Sequence, residues 1–168
     1  MIAKMDFDYN ITSRQTLKFG FGNTNHRINP GENIYKVNDE EQKYFCDTSF
    51  TNKIVTGNEF FIYLEDEFQL NDKFSTNMGL RLGGMATETE TQWKPEPRIS
   101  MTYFSSDILA IKSGYSRMYQ YLHLLSSSGV TLPTDIWVPA TNGIKPLQSD
   151  QVNIGITYNW VDHAFFTL

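Results

Sequence analysis

The sequence predicts an all-β fold: a segment of an antiparallel, up-and-down transmembrane β-barrel. Three observations carry this. Apolar and polar residues alternate with period two in seven stretches, where helical spacing is scarce. The links between those stretches alternate between short and longer. The composition joins 12 Phe, 9 Tyr and 3 Trp to 12 Ser, 16 Thr and 13 Asn in 168 residues, a mixture suited to strands and loops. The longest apolar run is Phe60 to Leu64. A spanning helix needs about 20 apolar residues and is excluded, whereas a spanning strand of about 9–11 is not.

The elements follow in order. Over 2–9, Ala3, Met5, Phe7 and Tyr9 alternate with Lys4, Asp6 and Asp8. Over 15–23, Leu17, Phe19 and Phe21 alternate with Lys18, Gly20 and Gly22. The run 56–70 sets Phe60, Ile62, Leu64, Phe68 and Leu70 against Phe61, Tyr63, Glu65, Glu67 and Gln69. The run 74–87 sets Phe74, Met78, Leu80 and Leu82 against Ser75, Asn77, Gly79 and Arg81. Strands over 97–104 and 108–118 place Arg98 and Lys112 on the polar side. The run 148–160 alternates most regularly, from Val152 through Ile154, Ile156 and Tyr158 to Trp160. An eighth strand starts near Phe165 and stops at Leu168.

The short links are 10–14, 71–73, 105–107 and 161–164, and the longer ones are 24–55, 88–96 and 119–147. Outer-membrane barrels have this asymmetry, with short periplasmic turns and long extracellular loops. Tyr9, Phe68, Phe74, Tyr103 and Trp160 stand beside the short turns on the apolar face, where an interfacial girdle belongs. The polar face would then line the lumen with Asp8, Lys18, Glu65, Glu67, Arg81, Arg98 and Lys112. Pairing Tyr9 with Leu17 sets Asp8 opposite Lys18, and Arg81 is a diagonal partner for Glu65 and Glu67. Asp66 breaks the pattern by sharing parity with Leu64 and Phe68. Its place near the strand end makes a lipid-facing charge cheaper, and a β-bulge would re-aim it. Closing a sheet in lipid requires a full partner for the first strand, so an internal segment of a larger barrel is expected. A soluble, lipocalin-like barrel binding a small apolar ligand, or a non-functional gene fragment, stays open as an alternative.

The net charge of −5 argues against nucleic acid as a partner. Cys46 is the single cysteine, which excludes an intrachain disulfide framework. His26, His123 and His163 are isolated, and Ser126 to Gly129 reads as flexible loop. No catalytic residue, metal site or cofactor is expected, and the chain is not read as an enzyme. Asp39, Glu40, Glu41 and Asp47 offer oxygen atoms to calcium without matching an EF-hand, so a solvated loop is the better reading. The 119–147 excursion is different, being rich in large apolar and aromatic side chains. It either packs on neighbouring loops or presents a binding surface. Tyr119, Tyr121, His123 and Trp137 are the residues expected to contact a ligand there.

GYSRMYQYLHLLSSSGVTLPTDIWVPATNGIKPLQSDQ at 114–151 resembles the late-barrel region of TonB-dependent outer-membrane receptors, as do PEPRISMTY at 95–103 and YLEDEFQLNDKFSTNMGLRLGG at 63–84. The receptors resembled carry a carboxypeptidase-regulatory-like domain and a plug before the barrel. On that resemblance, residues 1–168 are part of a barrel of about 22 strands around a plug. It implies a Gram-negative outer-membrane location and contact with outer-membrane lipid, the plug and the remaining strands. It also implies energised uptake of a siderophore, corrinoid or oligosaccharide, driven by a TonB complex acting through the full-length receptor.

Overall fold

The computed structural model describes residues 1–28, 34–37, 46–49, 54–125, 136–141, 143–161 and 164–167. Its strands are β1 (Ile2–Thr12), β2 (Gln15–Ile28), β3 (Ile34–Val37), β4 (Cys46–Ser49), β5 (Val55–Gln69), β6 (Phe74–Thr87), β7 (Thr91–Ser106), β8 (Leu109–Gln120), β9 (Leu122–Leu125), β10 (Ile136–Pro139), β11 (Leu147–Val161) and β12 (Ala164–Thr167). Eight of them form one sheet in the order β1-β2-β5-β6-β7-β8-β11-β12. Each long strand thus pairs antiparallel with the next long strand along the chain. The two long excursions each hold a two-stranded ribbon, β3 with β4 and β9 with β10. β1 and β12 are the sheet's edges, so these eight strands do not close on themselves.

Alternation dictates the register, because a slip of one residue would turn every side chain to the other face. Tyr9 faces Leu17 and Asp8 faces Lys18, the pairing the first hairpin's pattern requires. The sheet is a single layer whose apolar face is bare, with Val152 73% and Ile154 77% exposed. Aromatic pairs bound that face at both ends. Phe74 meets Tyr103 at the short-turn end, with ring centroids 4.7 Å apart, and Phe60 meets Trp93 at the other, 4.2 Å apart. Phe60 reaches Trp93 by lying over Gly84, which stands between them in the register. From Phe74 to Gly84 the strand rises about 33 Å at roughly 3.3 Å per residue. A tilt of roughly 40° reduces this to about 25 Å, the height of an outer-membrane barrel's apolar band.

Two expectations need correction. Residues 91–96 belong to β7, so the link expected at 88–96 shrinks to 88–90 and the alternation of short and longer links fails at that hairpin. Pro95 falls within the expected link and Pro97 at the expected strand's first residue, yet the β6–β7 ladder runs past both. Asp66 needs no bulge, since the β2–β5 register runs through it unshifted. Gln15 Nε2 donates to both of its carboxylate oxygens, at 3.0 and 3.2 Å, close to the turn. Asp39 to Glu41, Ser126 to Gly129 and His163 lie outside the described residues, as do the side chains of Asp47 and Trp160.

The two faces have different tolerances for charge. In lipid, Ile154→Arg is expected to lower the folding free energy of the assembled barrel by about 2–4 kcal/mol. Gln151→Arg, on the opposite face, is expected to stay within about 0.5 kcal/mol. Reversible denaturant unfolding in liposomes measures both.

Candidate functional site

The polar face is assembled in rows by the register. One row runs Asp8, Lys18, Glu65, Gly79, Arg98 and Ser116, and the next runs Asp6, Gly20, Tyr63, Arg81 and Glu96. Lys18 Nζ lies 2.6 Å from Glu67 and Lys4 Nζ lies 3.0 Å from Asp6. Tyr63 donates its hydroxyl to Asp6 at 2.7 Å, crossing Gly20, where a Cβ would lie 2.7 Å from its ring. Arg81 stacks over Phe61, its Cζ 4.2 Å from the ring centroid, a cation–π placement. Lys112 lies on the same face nearer the turns, opposite Thr102 and Gly155. The diagonal pairing expected for Arg81 is not made, because Glu96 stands directly opposite it and is nearer. Arg81 Nε lies 3.4 Å from Glu96, while Glu65 has Arg98 at 4.0 Å.

At the long-loop end the sheet forks. The β7–β8 ladder stops at Arg98–Ser116, although β6–β7 continues to Ala86–Thr91 and β8–β11 to Gln120–Leu147. Proline has no N–H to donate. Since the β6 side of β7 is intact, the donors missing at Pro95 and Pro97 are those that would have faced β8. The Glu96 carboxylate, 4% exposed, fills the gap and accepts the Tyr119 backbone N–H at 3.3 Å. Beyond β8 the chain turns over the polar face, where Tyr121 Oη donates to the Gly83 carbonyl at 2.8 Å. A Cβ on Gly83 would lie 3.1 Å from Glu96 and 3.6 Å from Tyr121 Oη, so glycine makes room for both. Returning from β10, Ala140 N donates to the Tyr121 carbonyl at 2.7 Å, and Thr141 Oγ1 sits 2.8 Å from Thr89 Oγ1. Tyr121 and Ala140, in the strap that these bonds form across the fork, are buried, as is Met85 of β6. Burial, followed by the Glu96 and Glu59 carboxylates, pushes the Tyr121 phenol up to about 12.

The four residues expected to share a ligand surface do not converge. Tyr119 is in β8 on the apolar-face side, its hydroxyl donating to Gln148 at 3.0 Å beside the Arg117–Asp150 pair. Tyr121 is buried. His123 and Trp137 are both on the ribbon, but His123 faces Val138 and Trp137 faces Leu124. Trp137 and Leu124, each 45% exposed, form an open apolar pair. The Glu96–Tyr121 fork went unread in the sequence. Its signal was Pro-Glu-Pro, a carboxylate between two residues unable to complete a ladder.

A meander with apolar and polar faces, an apolar band between aromatic pairs, and large excursions defines an outer-membrane β-barrel. The family model "TonB dependent receptor-like, beta-barrel" matches residues 3–168, and the chain belongs to that family, in the outer membrane of Gram-negative bacteria. Among solved structures it is similar to a ferric enterobactin receptor of Pseudomonas aeruginosa (TM-score 0.68, 19% identity, 98% of this chain and 25% of that one). It is also similar to the FrpB iron transporter of Neisseria meningitidis (0.67, 17%, 93% and 26%) and to the siderophore receptor PirA of Acinetobacter baumannii (0.61, 16%, 94% and 24%). The chain spans about a quarter of the length of each. No curated protein sequence matches it.

The strap has a pH signature. Because the Tyr121 value lies above its ordinary 10.0, the folded state holds this proton more tightly. That stabilisation is complete below about pH 10 and is lost as pH rises towards about 12. Protection of the backbone amides at residues 121–125 and 136–141 from hydrogen exchange is expected to fall over that interval. Tyr121→Phe is expected to lose about 0.5–1.5 kcal/mol of local stability at neutral pH and to show no such step.

Proposed function

We propose that this chain is part of the barrel of a receptor that takes up an iron–siderophore complex, with TonB-dependent energy, across the outer membrane. What supports this is membership of the TonB-dependent receptor barrel family, beside structural likeness to receptors named for ferric enterobactin, iron and siderophore. In this reading the excursions at 29–54 and 121–146 are extracellular, as is the 88–90 turn, and the turns at 13–14, 70–73, 107–108 and 162–163 are periplasmic. The polar face lines the lumen. Further strands complete the ladders of β1 and β12, whose edges lipid cannot satisfy. A plug fills the barrel, and a TonB complex acts through the complete receptor.

Trp137, beside Leu124, is the proposed ligand-contacting aromatic. A rigid amphipathic ring gains contact area at small entropic cost. Tyr121 acts beneath it, holding the base of the ribbon.

The complete receptor in outer-membrane vesicles tests this with iron-loaded enterobactin, an iron-loaded hydroxamate and cyanocobalamin as probes. Saturable binding of one iron chelate, with energy-dependent accumulation in cells, is the expected result. Trp137→Ala is expected to weaken that binding about tenfold, the equivalent of roughly 1.4 kcal/mol. Binding of cyanocobalamin alone would replace iron by a corrinoid. Spin labels at positions 152, 154 and 156 that report the barrel interior would overturn the membrane orientation.

A further inference from the structure

The polar face contains a hollow of about 260 Å3 lined by Lys4, Lys18, Phe61, Tyr63, Glu65, Arg81 and Arg98. Glycines shape it. Phe61 lies flat across Gly22, where a Cβ would stand 2.6 Å from its ring. The stem of Arg98 crosses Gly79, where a Cβ would stand 3.0 Å from its Cγ. Large side chains are thereby laid along the wall, and two guanidinium groups are brought to one place.

The four cations are unequally committed. Lys4 and Lys18 are in close ion pairs, at 3.0 and 2.6 Å. The arginines are not. Arg81 Nε is shielded from solvent with no hydrogen-bond acceptor, its 3.4 Å approach to Glu96 being outside hydrogen-bond geometry. Arg98 comes no nearer to a carboxylate than 4.0 Å. Among the described residues, neither guanidinium donates a hydrogen bond. Arginine presents five N–H donors in a fork that matches carboxylate and phosphate, and shielded donors are normally satisfied. Stacking on Phe61 fixes the plane of Arg81 and leaves its edges available. With Asp6, Asp8, Glu65, Glu67 and Glu96 included, the carboxylates outnumber the four cations by one. Selection therefore rests on the donor geometry of the two arginines rather than on net field.

We propose that this hollow is a binding site for a small oxyanion, a polycarboxylate or phosphate, held between the guanidinium groups of Arg81 and Arg98. The inference rests on the reading that the polar face lines the lumen. It adds a second site on the barrel wall, below the excursion that carries Trp137.

The test is calorimetric titration of the assembled barrel in detergent with tricarballylate and with inorganic phosphate. Saturable binding of either is expected. Arg81→Gln and Arg98→Gln should each weaken it at least tenfold, and Lys73→Gln, in a turn remote from the hollow, should not. If a glutamine variant fails to fold, Arg81→Lys carries the same test, since it keeps the charge and loses the fork. Absence of saturable binding overturns the proposal, as does binding that survives the double variant. A lower unfolding midpoint in the double variant, with no probe bound by the parent, would also overturn it. That result would assign the arginines to a carboxylate of the polypeptide packed in the lumen. Oxyanion binding and iron-chelate uptake are read separately, so either proposal can fail alone.

Discussion

A strand inside a bilayer must satisfy every backbone N–H and C=O within its sheet, because hydrocarbon offers no partner. The rest of this structure depends on that constraint. It enforces continuous ladders, which fix the register, and the register together with the pleat assigns each side chain to one face. Lys18, Glu65 and Arg98 therefore share a row although they are far apart in sequence. Asp66 tests the rule. The ladder does not bend to remove its carboxylate from the apolar face; a glutamine at the start of the neighbouring strand supplies two hydrogen bonds instead.

The second organising feature is the opposition of glycines and large side chains across neighbouring strands. Tyr63 lies over Gly20, Phe61 over Gly22 and Phe60 over Gly84. A side chain that would stand away from the wall lies along it when its cross-strand neighbour has no Cβ. On the polar face this thins the wall and lets Tyr63 reach Asp6. On the apolar face it lets Phe60 reach Trp93, completing an aromatic level that alternation alone does not reveal. Gly20 and Gly22 were visible in the sequence as residues of a strand's polar side. Their partners were not, because a partner is defined by register.

Local patterning made most of the architecture legible. The runs at 74–87 and 148–160 differ from the observed strands by one residue at most at each end, and the Asp8–Lys18 pairing followed from parity alone. Legibility failed where one residue type carries two meanings. Pro95 lay in a stretch read as a link, yet a proline is compatible with a strand when its missing donor faces a side without a ladder. The excursion at 119–147 was read as either packing on neighbouring loops or presenting a binding surface. Its aromatics could not be assigned from composition. Tyr119 continues a strand, Tyr121 is buried and Trp137 is open, and these differences arise from backbone direction at three separate points.

The fork between β7 and β8 links these threads. Two prolines withdraw donors from the β8 side of β7, so the strands separate above Arg98 and Ser116. Separation leaves the Tyr119 N–H without a strand partner, and Glu96, between the prolines, supplies the acceptor. The buried carboxylate is balanced by Arg81, whose own position is set by the Phe61 ring. The chain beyond β8 covers the opening and is anchored by Tyr121 on Gly83. A break in the ladder, costly in lipid, is tolerated here because it lies at the long-loop end and is closed on one side by the strap. The residues that repair the break thus also anchor the base of the ribbon bearing Trp137. In this way the rule that shapes the wall also determines where the excursion meets it.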